Sequence, residues 1–104
     1  MAYKIVVTSD AEADLDNFIS YLLFEKQNIQ AASNLLDDFE ETKNILADVA
    51  TSLKYCENPR LKRLGYRRIN FQKHNYFMLY RTITDMVIID NIFHDLQDYE
   101  NHFI

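Results

Sequence analysis

The chain has 104 residues, a formal charge of −5, one cysteine, one glycine and one proline. Those values point to one small domain over residues 1–104; they exclude a disulfide-stapled secreted scaffold and a loop-rich or low-complexity chain. Hydrophobic residues make up 48%, enough for one core, and no window has the apolar length of a membrane span. A reducing, cytoplasmic setting with no membrane partner is the expectation.

Residues 3–8 (YKIVVT) are short, β-branched and bounded by polar residues, which predicts a strand. Ser9 with Glu12 three positions on has the form of a capping box, and Asp10, Glu12 and Asp14 suit the positive end of a helix. Ala11, Leu15, Phe18, Ile19 and Leu22 then recur at helical spacing, to about residue 25. After a polar break at residues 26–28, a second stripe runs through Ala32, Leu35, Leu36, Phe39, Ile45, Leu46, Val49 and Leu53. Asp37, Asp38, Glu40, Glu41 and Asp48 fall largely outside it, as in an amphipathic helix over 29–53. So short a break makes the two helices an antiparallel hairpin. Asn58-Pro59 ends helical territory, because proline disfavours a helical residue before it.

From there the period changes to two. Residues 66–71, 76–82 and 86–93 read as strands, with turns at 72–75 and 84–85, which together make an antiparallel meander. Both FMLY (77–80) and MVII (86–89) are apolar on two faces, so one face packs on the helices and the other is also partly covered. The tail after residue 93 is polar with scattered apolar anchors, a short helix or an arm. The order β-α-α-β-β-β describes an α+β domain.

Charge is unevenly distributed: residues 1–58 carry net −7, residues 59–82 net +7 with no Asp or Glu, and residues 83–104 net −5. One explanation is solvated surface that pairs with the acidic remainder. The other is a phosphate-facing patch, since a local cationic surface attracts polyanions even on an acidic molecule. Arg67 and Arg68 alternate across their strand: Arg68 shares a face with Tyr66 and Asn70, Arg67 with Ile69 and Phe71. His74 falls in a turn and is expected to be exposed. Cys56 has no Cys or His at metal-ligand spacing, so no metal is expected.

The ordered set Tyr3-Lys4-Ile5, Ser9, Ala11, Asp14-Leu15, Ile19 and Tyr21, then Leu64-Gly65-Tyr66-Arg67-Arg68-Ile69, His74-Asn75-Tyr76, Leu79-Tyr80-Arg81 and Ile89 through Ile92-Phe93-His94, resembles the RelE/ParE superfamily of bacterial type II toxins. The resemblance spans nearly the whole chain. It implies a toxin, a cognate antitoxin as partner and no cofactor. RelE-like and YoeB-like members cut mRNA on the ribosome, and the first expectation is a ribosome-dependent mRNA endonuclease. The alternatives are a ParE-like inhibitor of DNA gyrase, or an inactive homologue that only binds its antitoxin. A homodimer would cover surplus apolar surface as well as an antitoxin would.

Metal-free RNA cleavage needs a base for the 2′-OH, a cation for the phosphorane and an acid for the leaving oxygen. The resemblance assigns phosphate binding to Arg68 and Arg81, a task for which the planar guanidinium is suited. It assigns proton transfer to His94, since an unperturbed imidazole, with a pKa of about 6.5, can hold either proton state near neutrality, and base stacking or proton donation to Tyr99. Arg60, Lys62, Arg63, Arg67 and Lys73 are the expected RNA-binding residues. Two departures stand out. Asp95, not a tyrosine, follows His94, and Arg60 follows Pro59 where YoeB-like toxins have a glutamate. Glu57 and the lysines Lys54, Lys62 and Lys73 are the remaining candidates for the base. The structural alternatives are Arg81 paired with a carboxylate of the acidic helices, and His94 hydrogen-bonded at a strand end.

Overall fold

A computed structural model of the chain describes residues 3–97. Strand β1 (Lys4–Val7) leads directly into helix α1 (Ser9–Ser20). The cap of α1 is Thr8, one residue before the expected Ser9: its Oγ1 accepts from the Ala11 N–H at 3.2 Å and donates to the Asp90 carbonyl at 3.1 Å. Both hydroxyl residues suit a helix start, but Thr8 is the last extended residue and also reaches the sheet. The helix continues into a π-helical turn, Tyr21–Glu25, and Gln27 reverses the chain with φ of 50°. Asn28 caps helix α2 (Ile29–Val49), accepting from the Ala31 N–H at 2.9 Å. The hairpin is as expected, with α2 ending before residue 53.

The sequence places a stop at Asn58-Pro59; the structure makes it a start. Asn58 Oδ1 accepts from the N–H groups of Arg60 and Leu61 at 3.0 and 3.1 Å, and Pro59 occupies the first turn, where no N–H is needed. The short helix α3 (Pro59–Arg63) follows. It closes through Gly65, whose φ of 84° only glycine adopts freely. The Gly65 N–H bonds the Lys62 carbonyl and the Tyr66 N–H the Leu61 carbonyl, each at 3.0 Å, the two bonds of a Schellman stop.

Strands β2 (Arg67–Asn70), β3 (Tyr76–Ile83) and β4 (Met86–His94) form the expected meander, and β1 joins it parallel to β4, giving the order β1-β4-β3-β2. A bulge interrupts β3–β4: Leu79 pairs with Asn91 and Tyr80 with Ile89, so Asp90 is the extra residue. The Ile92 N–H next to the bulge bonds Asp14 Oδ2 of α1 at 2.9 Å, and Asn91 Nδ2 donates to the same oxygen at 3.2 Å. The strand beside the bulge thereby gives α1 a polar tether, in addition to Ala11 and Leu15 in the core.

Helices α1 and α2 cover one face, where Leu15, Leu35, Phe39 and Leu46 pack on Ile69, Met78, Tyr80 and Ile89. The other face carries Phe77, Leu79 and Phe93, covered by Cys56 and by Leu61 of α3. Tyr80 Oη donates to the Ala50 carbonyl, at the end of α2, at 2.6 Å, and Arg67 Nε donates to the Leu53 carbonyl, in the turn that follows, at 2.8 Å. Carbonyls at a helix end lack intrahelical partners, so the phenol satisfies one of them. Burial pushes the Tyr80 phenol up to about 12.

Candidate functional site

The face of the sheet opposite the long helices holds Arg68 and Arg81, the arginines expected to grip phosphate. Strand alternation puts Arg68 beside Asn70, as expected. Its Nη2 bonds Asn70 Oδ1 at 2.8 Å, its guanidinium lies 3.7 Å from the Phe77 ring centroid, and Asp95 Oδ1 is 3.6 Å away. Arg81 Nε bonds Asp90 Oδ2 at 2.8 Å. The partner is thus the bulged residue of β4 rather than an acid of the helices. Tyr66 also hydrogen-bonds Asp90; burial first, and then that carboxylate, raise the Tyr66 phenol above its ordinary value. The hydrogen bond to Asp90 outweighs desolvation and raises Arg81, keeping it a fixed cation.

His94 stands elsewhere. Its ring meets Tyr76 edge-on at 4.9 Å, and Tyr76 meets Phe18 of α1 at 4.8 Å within the cluster on the helical side. Its Nδ1 accepts from the Leu96 N–H at 3.1 Å, as in the strand-end alternative. The two arginines and the imidazole therefore lie on opposite faces of the sheet. Among the described residues, Arg68 and Arg81 do not converge with the His94 imidazole on one hollow. Tyr99 lies outside the described residues.

The five expected RNA-binding residues separate into two groups. Arg67 is nearly buried, bonded to the Leu53 carbonyl and stacked 3.9 Å from the Tyr55 ring centroid. Lys73 sits 3.7 Å from Glu41 of α2, on the other side of the molecule from α3. Arg60, Lys62 and Arg63 project from α3 into solvent, and none of them makes an ion pair with a described residue. Of the candidate bases, Glu57 and Lys54 are exposed and 3.5 Å apart. Among the described residues no cluster of three metal-ligating side chains occurs.

One titratable pair was not legible in the sequence. Asp38, from the acidic stripe of α2, is 1% exposed. It accepts from the N–H groups of Gln72 and Lys73 at 3.0 and 2.9 Å, from Thr42 Oγ1 at 3.3 Å, and pairs with His74 Nδ1 at 2.6 Å. Burial pushes its carboxyl up, but the hydrogen bond from His74, then those from Lys73 and Gln72, outweigh burial and hold it below the usual carboxylate value. His74 is therefore half-buried, not exposed as its turn position implies; the pair ties the β2–β3 turn to α2.

The family model for the ParE toxin of the type II toxin-antitoxin system, parDE, matches residues 5–99. The chain belongs to the ParE toxin family. It is thus a toxin of a type II toxin–antitoxin system, and the superfamily resemblance read in the sequence holds. The ParE-like fold is matched by a solved structure of the chromosomal ParDE system from P. aeruginosa, at TM-score 0.71 and 21% identity, covering 89% of this chain and 96% of that one. The RelBE2 toxin–antitoxin complex of Mycobacterium tuberculosis superposes at TM-score 0.57 and 18% identity, covering 90% and 99%. No relative is found among curated proteins. Among the described residues of this ParE family member, no helix is long and apolar enough to cross a membrane.

Proposed function

We propose that this ParE family toxin acts by docking on a protein target, DNA gyrase in the ParE-like mode, and that an antitoxin chain holds it inactive. The observation that carries this reading is the separation of the arginines from the imidazole by the thickness of the sheet, with Arg81 already paired to Asp90. Proton transfer across a scissile phosphate needs both within hydrogen-bond reach of one substrate. Docking needs only a surface, and the helical hairpin offers one. Tyr21, Phe24 and Ile29 at its tip and Leu36 on α2 are 50%, 74%, 76% and 45% exposed. Large apolar side chains left uncovered in this way fit a protein partner. The solved structures that share this fold come from toxin–antitoxin systems, which supports an antitoxin as one such partner.

The experiment is a supercoiling reaction with gyrase, relaxed plasmid, ATP and the purified toxin. Loss of supercoiling with accumulated broken plasmid is the expected result, and it should weaken when Phe24→Ser removes the apolar tip. Undisturbed supercoiling at a large molar excess of folded toxin would overturn the proposal.

A further inference from the structure

A toxin that works through the hairpin leaves the most conspicuous feature of the sequence, its carboxylate-free basic run, without a use. The structure gathers part of that run on one short element. Leu61 is 1% exposed and anchors α3 to the outer face of the sheet, so Arg60, Lys62 and Arg63 must point outward. Lys62 shares a concavity of about 450 Å³ with Lys54 and Tyr55. A second hollow of the same size lies between Tyr55 and the Arg68–Asn70 end of β2. Tyr55 thus borders both, and it is 42% exposed.

The ring of Tyr55 is not loose. The Arg67 guanidinium stacks on it at 3.9 Å and is itself held by the Leu53 carbonyl at 2.8 Å. An aromatic ring backed in this way and flanked by cations suits a nucleobase, since base–aromatic stacking and phosphate–cation contacts combine in single-strand binding. Polar groups stand at the same place. Phe71 N–H bonds the Tyr76 carbonyl, and strand alternation then turns the N–H and C=O of Asn70 to the free edge of β2, on the wall of the hollow. The one acid nearby, Glu57, is 89% exposed and 3.5 Å from Lys54.

We propose that this surface binds single-stranded nucleic acid, with a base stacked on Tyr55 and the phosphates following Lys54, Lys62, Arg60 and Arg63. Duplex is disfavoured because its bases are already stacked and offer Tyr55 no face, and because a helix of five residues spans only about 7 Å, too short to occupy a major groove.

The test is fluorescence anisotropy of the full chain with a labelled ten-nucleotide single strand and the same sequence as duplex, at low and rising salt. Four phosphate contacts predict a slope of log K against log salt of roughly −3. Tyr55→Ala should weaken binding about tenfold at an unchanged melting temperature, whereas Tyr55→Phe retains it. The pair Arg60→Glu and Arg63→Glu together should abolish binding, while Lys43→Glu on the remote face of α2, with a smaller change of net charge, leaves it intact. Equal affinity for duplex, indifference to Tyr55→Ala, or no binding by the folded wild-type chain at low salt would each overturn the proposal.

Discussion

Arg81 and Asp90 lie with Nε and Oδ2 2.8 Å apart, and Asp90 is the residue that the bulge adds to β4. Ile88 stands opposite Arg81 and Ile89 faces the helices, so alternation turns Asp90 to the outer face, where Arg81 is. Two contacts thus flank the bulge: the ion pair outside and the Ile92–Asp14 bond inside. Removing Arg81 leaves Asp90, 17% exposed, with Tyr66 as its remaining side-chain partner on that face. Arg81→Ala is expected to destabilise by about 1 kcal/mol, a modest value because the arginine is itself one-third exposed. A double-mutant cycle with Asp90→Asn, read by urea denaturation, should return a coupling of the same size.

Asp38 carries more. Asp38→Ala strands the N–H groups of Gln72 and Lys73 and removes the partner of His74, a loss of about 3 kcal/mol in denaturant titrations. The pH dependence has a definite sign. A carboxyl held below its unfolded value stabilises the fold fully above that value and loses the contribution as pH falls through the folded one. The part of the stability difference between wild type and Asp38→Asn that comes from this carboxyl should therefore shrink as the pH falls from about 5 to about 2.

Thr84 occupies the β3–β4 turn with φ of 53°, a conformation that β-branched side chains resist. Relieving such strain is worth about 1 kcal/mol. Thr84→Gly is thus expected to raise the melting temperature by about 4 °C in a domain of this size, measured by circular dichroism.

Leu61 is the single apolar anchor that α3 contributes to the core. Leu61→Ala should cost about 3 kcal/mol through the cavity it leaves. Because α3 is short and stapled only at its ends, hydrogen exchange at the amides of Cys56 and Tyr66, which bond across this segment, should accelerate more than exchange within α2.

The long elements were legible because their signals are local. Period 3.6 marks both helices, period two marks the meander, and the alternation of Arg67 and Arg68 puts Arg67 on one face with Ile69, which the structure shows to be the helical face. What escaped depends on distant residues or on brevity. Five residues of α3 carry no periodicity, and Pro59 reads equally as a stop or a first turn until Asn58 is seen to cap it. Asp38 looked like one more solvent-facing acid, since its partners are the amides at residues 72 and 73. His94 reads as a site residue through the family resemblance alone, whereas strand parity sends it to the face opposite the arginines.

The central claim, that this ParE family member acts by docking and not by cutting RNA, is tested most directly by primer extension on mRNA from a reconstituted translation reaction containing the toxin. Full-length transcripts with no toxin-dependent stops are the predicted result. Discrete stops that vanish in both Arg81→Ala and His94→Ala would contradict it, because residues on opposite faces of the sheet would then be serving one cleavage.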